Sequence, residues 1–300
     1  MGLGGPATGW HAGAVHVLRA GSLTATWLPE HGMVGSSLTH MGEELLGKRG
    51  GLDAYLAKGS AFGIPLLAPW ANRLSGLRYG PVELEPEHVK LDADGLPKDG
   101  VMAGRAWTVE RAGDSELVAA FDSDPAVLRA FPFPHRLRVT VALDAEELTV
   151  TTELTATGVA PVPVAFGWHP LLTLPGVGRE ELELTVPAAR ESVLDAHGIP
   201  TGHERERALA DGPLADRTAD TEYPELQGDC VLRGGERELR VRFGAPDYPV
   251  GRLWAPAGEA FVAWEPMTAP TNALVSRMGL RHVVPGASFA ATFAIRVTSV

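Results

Sequence analysis

The sequence is poor in cysteine and in long apolar runs, and each shortage excludes a class of protein. Its 300 residues include one cysteine, Cys230, so no disulfide can form within the chain and nothing indicates an oxidising compartment. No apolar run approaches the roughly 18 residues of a membrane span. The first residues, Met1–Pro6, lack the basic and apolar regions of a signal peptide. We therefore expect a cytoplasmic protein that does not bind membranes.

The sequence also lacks an excess of basic charge and several common site motifs. The formal net charge is −11 and no basic stripe is present, so we expect no nucleic-acid partner. The early histidines His11, His16, His31 and His40 have no metal-ligand spacing, and we predict no metal. The glycines near the start do not follow a strand, and no Gly-x-Ser-x-Gly elbow occurs. We predict no cofactor.

What the chain does contain is alternation with a period of two. In Leu137–Leu143 and again in Leu148–Leu154 the bulky apolar residues fall on every second position, with a polar turn between. This pattern predicts a β-hairpin. Similar runs occur at Val15–Leu18, Ser22–Leu28, Leu117–Phe121, Leu182–Val186, Leu239–Phe243, Phe261–Trp264 and Phe289–Val297.

Helical periodicity is short by comparison and is clearest at Gly51–Leu56. The chain has 35 glycines and 24 prolines, which suits many short strands joined by turns and opposes a helical bundle. We predict an all-β fold, a large antiparallel sandwich forming a single domain over residues 1–300. The polar stretch Ala208–Glu222 is predicted to be a long loop.

Three apolar, proline-rich segments about a hundred residues apart each contain one ionisable residue of interest. A charge in such surroundings is costly unless it has a partner or a task. Together the three supply a cation, an imidazole and a carboxylate, which is a set for acid–base chemistry. The segments are Pro65–Leu74 with Arg73, Gly167–Gly176 with His169, and Ala263–Leu274 with Glu265.

The imidazole and the carboxylate are the candidates for proton transfer. Histidine is the one side chain whose ordinary pKa is about 6.5. His169 follows a strand-like run, at a point where side chains can face a cleft. A core histidine bonded to a backbone carbonyl is the alternative. Glu265 follows an apolar run and can act as a general base in a partly dry cleft, or it is a carboxylate at an exposed strand end.

The remaining candidates would bind a ligand. Arg73 can bridge sugar hydroxyls and a carboxylate or form a structural ion pair, and Asn72 either orients it or caps the loop. Asp220 is a candidate for hydrogen bonds to sugar hydroxyls or a turn residue. Trp168, like Trp70 and Trp264 in the other segments, can stack on a sugar or pack in the core.

In this order and spacing, the three segments resemble the aldose 1-epimerase (galactose mutarotase-like) family. The resemblance extends from about residue 15 to residue 297, and Leu28–Leu38 with Glu43–Gly47 resembles the opening strand pair of the family. It implies the galactose mutarotase-like β-supersandwich. It also implies that His169 is the general acid, Glu265 the general base, and Arg73 and Asp220 the sugar-binding residues.

One position departs from the family pattern. The family has a His-Gly pair ahead of an Arg-x-Trp element, and this histidine contacts the sugar near the ring oxygen. Here the element reads Asp99-Gly100 ahead of Arg105 and Trp107, so an acceptor replaces a possible donor. Asp99 is therefore a candidate sugar contact. If it faces the cleft, it can raise the His169 pKa or form an ion pair with Arg73 that weakens sugar binding; the alternative is an aspartate in a solvated loop. His135 is a candidate substitute or a surface turn residue.

The function that follows is a cofactor-free mutarotase that interconverts the α and β anomers of a neutral free aldose. Glu265 would take the proton of the C1 hydroxyl, and His169 as imidazolium would protonate the ring oxygen. Two alternatives stay open. One is a hexose-6-phosphate 1-epimerase, which requires a basic cluster at the cleft mouth; the other is a non-catalytic carbohydrate-binding or sensing protein of the same fold. The aldose and the oligomeric state are left open.

Overall fold

Strands are the main regular structure of residues 14–299, the part of the chain that the computed structural model describes. The segment Met1–Pro6 and His11 lie outside these residues. The strands are β1 (His16–Ala20), β2 (Leu23–Leu28), β3 (Val34–His40), β4 (Glu43–Glu44), β5 (Leu66–Leu67), β6 (Arg78–Tyr79), β7 (Val82–Glu83), β8 (Thr108–Ala112), β9 (Glu116–Asp122), β10 (His135–Leu143), β11 (Glu147–Ala156), β12 (Val162–Val164), β13 (Gly167–Trp168), β14 (Leu171–Leu172), β15 (Glu183–Thr185), β16 (Arg190–Leu194), β17 (Pro200–Glu206), β18 (Gly212–Pro213), β19 (Ala219–Tyr223), β20 (Cys230–Gly234), β21 (Arg237–Arg242), β22 (Val250–Ala255), β23 (Val262–Met267), β24 (Arg281–Val283) and β25 (Ser288–Ser299).

The helices in the described residues are short. They are α1 (Gly51–Lys58), α2 (Pro125–Ala130) and α3 (Ala273–Ser276), with single 3-10 turns at Pro29–His31, Pro86–His88 and Arg179–Glu181. No helix within residues 14–299 combines the length and the apolar character that crossing a membrane requires.

The largest sheet has nine strands in the order β18-β15-β20-β21-β25-β11-β10-β9-β8. The predicted hairpin lies inside this sheet: β10 and β11 pair antiparallel with Leu143 opposite Leu148, and their burial alternates residue by residue. The all-β prediction is confirmed. The predicted loop Ala208–Glu222 is wrong in part, because β18 and most of β19 lie in it and pair with other strands.

A second sheet positions the candidate residues, and we call it the site sheet. It has six strands, in the order β19-β22-β23-β13-β5 with β14 also paired to β23. Arg252 on β22 lies opposite both Glu222 on β19 and Glu265 on β23. Since side chains alternate along a strand, these residues share one face, together with Asp220 and Trp254 two positions away. This polar face is the floor of the cleft described below.

The opposite face of the site sheet packs into the core. Gly167 pairs with Met267, which places Trp168 on the core face and His169 on the cleft face. The Trp168 indole is fully buried, its Nε1 donates to Oγ1 of Thr152 at 3.0 Å, and its ring packs against Trp27 and Phe293. Trp168 thus contacts the nine-stranded sheet through β11 and β25 and the four-stranded sheet β1-β2-β3-β4 through β2.

Replacing Trp168 with phenylalanine should destabilise the fold without touching the cleft. The substitution leaves Thr152 without its donor and creates a gap, so we expect the free energy of unfolding to fall by about 1–3 kcal/mol. The control is Trp254→Phe on the cleft face, where the ring is partly exposed and the expected loss is below about 1 kcal/mol. Urea unfolding measures both, and equal losses would contradict this assignment of faces.

Candidate active site

The site sheet and the loops above it enclose a cavity of about 310 Å³, a size at the lower end of ligand pockets. We call this cavity the cleft. Its lining is strongly polar and contains cations, carboxylates, an imidazole and an indole. The lining residues are Arg49, Lys58, Ser60, Ala61, Asn72, Arg73, Lys90, Asp92, Lys98, Asp99, His169, Asp220, Trp254 and Glu265.

His169 and Glu265 are in direct contact at the bottom of the cleft. Nε2 of His169 lies 3.1 Å from Oε1 of Glu265, and both side chains are almost completely buried. His169 follows β13, and its backbone N–H donates to the carbonyl of Pro65 at 3.0 Å, which fixes the strand end. Gly167 is required beside it, because a Cβ there would lie 2.6 Å from the carbonyl oxygen of Pro266. The pair is therefore held by two tightly packed neighbouring strands.

Burial keeps both members of this pair uncharged. It lowers the pKa of His169 to about 4, and although the charge of Asp99 opposes this effect, the effect of burial is larger. Burial also raises the pKa of Glu265 to about 8, against the charge of Arg252. At neutral pH these opposite shifts favour the shared proton on Glu265. This differs from the expectation that His169 is an imidazolium, because the sequence did not reveal how dry the site is.

Arg252 lies under the pair and was missed in the sequence. Its side chain is fully buried, and its Nε donates to Oδ1 of Asp220 at 2.7 Å. Burial alone would lower the Arg252 pKa, but the contact with Asp220 and the charges of Glu265 and Glu222 together raise it. The same contact holds the pKa of Asp220 below its ordinary value despite partial burial. Asp220 lies on β19 and not in a loop.

Arg73 and Asn72 lie on the other side of the pair. Nε of Arg73 donates to Oδ2 of Asp92 at 2.7 Å, and its Nη1 is 3.9 Å from Oδ2 of Asp220. Asn72 orients this arginine: its Oδ1 accepts from the backbone N and from Nη1 of Arg73, while its Nδ2 lies 3.4 Å from Oε2 of Glu265. Of the two roles predicted for Asn72, the orienting role fits these contacts.

Asp99 faces the cleft and not solvent. Its Oδ2 accepts from Nζ of Lys90 at 2.7 Å, so its ion-pair partner is Lys90 and not Arg73. Both Asp99 and Gly100 have positive φ, +62° and +66°, and a Cβ on Gly100 would lie 1.9 Å from the carbonyl oxygen of Ala68. The glycine is thus obligatory and fixes the position of Asp99.

Two other predicted residues lie elsewhere. His135 is buried at the start of β10, with Nδ1 2.7 Å from the carbonyl oxygen of Phe133, and it does not line the cleft. Trp168 lies in the core, for the reason given above, and the prediction that it contacts sugar is corrected. The indole in the cleft is that of Trp254, whose ring is edge-on to His169 with the centroids 5.6 Å apart.

Three cations of the cleft have no carboxylate partner. Arg49, Lys58 and Lys98 line it, and no carboxylate of residues 14–299 lies within 4.0 Å of any of them. The guanidinium of Arg49 stacks on Trp254 at 5.0 Å from the ring centre. The cleft is thus locally rich in positive charge, although the chain as a whole has a net charge of −11.

One group of side chains in the described residues has the spacing of metal ligands. Glu85, Glu87 and His88 can bring three ligand atoms within 4.8 Å of one another, but all three are exposed and none lines the cleft. Exposed acidic groups of this kind are common without a metal.

Comparison with known proteins identifies the family. The family model for aldose 1-epimerase matches residues 19–275. The galactose mutarotase-like protein of Clostridium acetobutylicum superposes with a TM-score of 0.83 at 15% identity, over 95% of each chain. The galactose 1-epimerase of Lactobacillus acidophilus NCFM superposes with a TM-score of 0.72 at 14% identity, over 94% of this chain and 92% of that one. The predicted galactose mutarotase-like fold is confirmed.

A relative in sequence is the uncharacterized protein YphB of Escherichia coli K12. The two are 31% identical over 112 residues, a match that spans 36% of this chain and 36% of that protein.

The buried carboxyl of Glu265 should make stability fall with rising pH. Its pKa is about 8 when folded against 4.5 for the ordinary group, so its contribution is complete below pH 4.5 and is lost as the pH rises through 8. His169 in the unfolded state is still half charged at about pH 6.5, but it is present in wild type and in Glu265→Gln, so its contribution cancels in the comparison of the two. From about pH 6.5 to 8 we expect wild type to lose about 2 kcal/mol relative to Glu265→Gln.

Urea unfolding at the two pH values measures this difference. Glu238→Gln is the control, because Glu238 on β21 is a buried carboxylate paired with Arg233 and Arg240 and its pKa is lowered. Glu238→Gln should show the same decrease in free energy of unfolding with rising pH as wild type. A wild-type slope equal to that of Glu265→Gln would contradict the raised pKa.

Proposed function

The chain belongs to the aldose 1-epimerase family, and from this membership and the His169–Glu265 pair we propose that it is a mutarotase acting on a neutral free aldose. The contact at 3.1 Å between imidazole and carboxyl in a dry cleft is the observation that carries the proposal. The proposed reaction is proton transfer alone and needs no cofactor. We also propose a single domain, since one hydrophobic cluster includes side chains from Leu18 to Val297.

One shared proton is sufficient for this reaction. Opening the ring requires a group that protonates the ring oxygen and a group that takes the proton of the C1 hydroxyl. Starting from the proton on Glu265, one transfer along the hydrogen bond to His169 gives the His169 imidazolium and the Glu265 carboxylate. The charge of Asp99 raises the pKa of both partners, whereas the charge of Arg252 lowers that of Glu265 and so favours the carboxylate. His169 is then the acid and Glu265 the base.

The two residues exchange these roles during one turnover. As the ring opens, His169 gives its proton to the ring oxygen and Glu265 accepts the proton of the C1 hydroxyl. The open chain then rotates about the C1–C2 bond. As the ring closes on the other face, Glu265 protonates the former carbonyl oxygen and His169 takes the proton of the C5 hydroxyl. At the open-chain stage Glu265 is protonated and His169 is neutral. Burial favours these uncharged forms, so it stabilises the enzyme with the open-chain sugar bound.

The remaining polar residues of the cleft would hold the sugar. We assign sugar hydroxyls to Arg73, which Asn72 and Asp92 orient, and to Asp220, which Arg252 fixes. The Trp254 ring offers an apolar face to the C–H side of the sugar. Positioning of this kind must add to acid–base catalysis, which supplies about 10²–10⁴-fold per group.

The test is the rate of anomeric relaxation of freshly dissolved α-glucose, α-galactose and a panel of pentoses, followed by polarimetry or NMR. We expect Glu265→Gln and His169→Asn each to lower kcat by about 10²–10⁴-fold while sugar affinity stays within about tenfold. Glu238→Gln, which replaces a buried carboxylate outside the cleft, should retain the wild-type rate. A protein that binds sugar without changing the relaxation rate would support the non-catalytic alternative instead.

A second candidate function, a hexose-6-phosphate 1-epimerase, is favoured by the unpaired cations. Arg49, Lys58 and Lys98 form the basic cluster that this alternative requires. Three cations converging on one cavity favour an anionic substituent by direct attraction and by steering. The phosphate would have to lie away from Asp92, Asp99 and Asp220, which also line the cleft and would repel it.

Rates with glucose and glucose 6-phosphate separate the two candidates. If the substrate is phosphorylated, Lys58→Met and Lys98→Met should each lower kcat/KM for the phosphate by roughly tenfold and leave glucose nearly unchanged. The effect should weaken at high salt. Arg19→Met, which removes an exposed cation on β1, should change neither rate. Equal rates for both sugars in all variants would exclude a phosphate preference.

A further inference from the structure

One carboxylate oxygen of Asp99 is hydrogen-bonded and the other has no hydrogen-bond partner in the described residues. Oδ2 accepts from Lys90 at 2.7 Å, whereas Oδ1 is buried and has no hydrogen-bond partner among residues 14–299. An unpartnered carboxylate oxygen in a dry site is costly. Burial opposes ionisation, but the charges of Lys90 and Lys98 outweigh it and hold the Asp99 pKa well below its usual range. The free oxygen is therefore a permanent acceptor.

A free donor lines the same cleft. Nδ1 of His169 is also buried and unpartnered in the described part of the chain, while Nε2 of the ring contacts Glu265. When Glu265 is protonated, Nε2 of the neutral His169 ring accepts its hydrogen bond. The single ring hydrogen is then on Nδ1, which is a donor. The cleft thus offers one acceptor and one donor that the protein leaves unmatched, and a hydroxyl group can satisfy either.

We propose that Oδ1 of Asp99, held in place by Lys90, accepts a hydrogen bond from one aldose hydroxyl other than that on C1, and that this contact selects the substrate. The proposal rests on the proposed function, because it names a determinant of specificity for that site. An anionic substituent at this position would meet a carboxylate, so the group bound here is a neutral hydroxyl. Lys90 acts through Asp99 and is a positioning residue.

Because of the position of Lys90, an asparagine at residue 99 could not accept the hydrogen bond that we assign to the Asp99 carboxylate. Nζ of Lys90 is anchored by the carbonyl oxygen of Gly59 at 2.8 Å as well as by Asp99. In Asp99→Asn the amide oxygen would remain with Lys90, and the NH₂ group would face the sugar. A donor would then meet the hydroxyl in place of an acceptor. Asparagine also tolerates the positive φ of this residue, so the backbone is preserved.

The experiment crosses protein variants with sugar variants. The kcat/KM for anomeric exchange is measured on the preferred aldose and on its 2-, 3-, 4- and 6-deoxy analogues. We expect wild type to lose roughly 10–100-fold on the analogue that lacks the hydroxyl bound by Asp99. Asp99→Asn should lose a similar factor on the parent sugar and almost nothing further on that analogue. Analogues that lack hydroxyls bound by Arg73 or Asp220 should lose the same factor in wild type and in Asp99→Asn. Lys90→Met should show the same selective pattern, and Glu238→Gln should behave as wild type on every sugar.

A loss in Asp99→Asn that is equal for all sugars would overturn the proposal, because a structural defect has no preference for one hydroxyl. Uniform wild-type rates on all deoxy analogues would also overturn it, and would mean that Oδ1 holds only water. If Asp99→Asn fails to fold, the wild-type and Lys90→Met panels decide. If wild type turns over no sugar, the proposed function fails, and calorimetric affinities for the same panel still test the Asp99 contact.

Discussion

The cleft depends on one fully buried cation, the guanidinium of Arg252. Burying an arginine costs several kcal/mol unless carboxylates offset the loss of water. Here Asp220 contacts it directly, and Glu222 and Glu265 lie opposite it on the two neighbouring strands. The cation in turn lowers the pKa of Glu222 and of Glu265, which burial raises, and so favours their ionised forms. The register of β19, β22 and β23 and the charge state of the site are thus set together.

The fold was predictable where strands are long and was not where they are short. The alternation at residues 137–154 predicted the β10–β11 hairpin because nine or ten residues with one buried face leave a clear pattern. The strands β5, β13 and β14 have two residues each, and no period can be read from two residues. Their positions are set by pairing across the chain, as between Gly167 and both Leu67 and Met267.

The candidate site, too, was predictable from the sequence only in part. A single charge in an apolar run is visible in a sequence, so Arg73, His169 and Glu265 could be selected, and all three line the cleft. Arg252 and Trp254 were missed although they alternate along a buried strand on the face of Glu265. The same rule of alternation places Trp168 on the face opposite His169, and applying it would have assigned that indole to the core. The protonation of His169 was not predictable, because burial arises from segments distant in sequence.

The aspartate at position 99 acts electrostatically on both partners of the shared proton. The charge of Asp99 raises the pKa of both His169 and Glu265, while that of Lys98 lowers both. Charges that act on both partners in the same direction change the affinity of the pair for a proton, but they hardly change which partner holds it. Arg252 acts strongly on Glu265 and so favours transfer of the proton to His169. The position of the proton therefore depends on the balance between burial and Arg252, and this leaves residue 99 free to vary with the sugar.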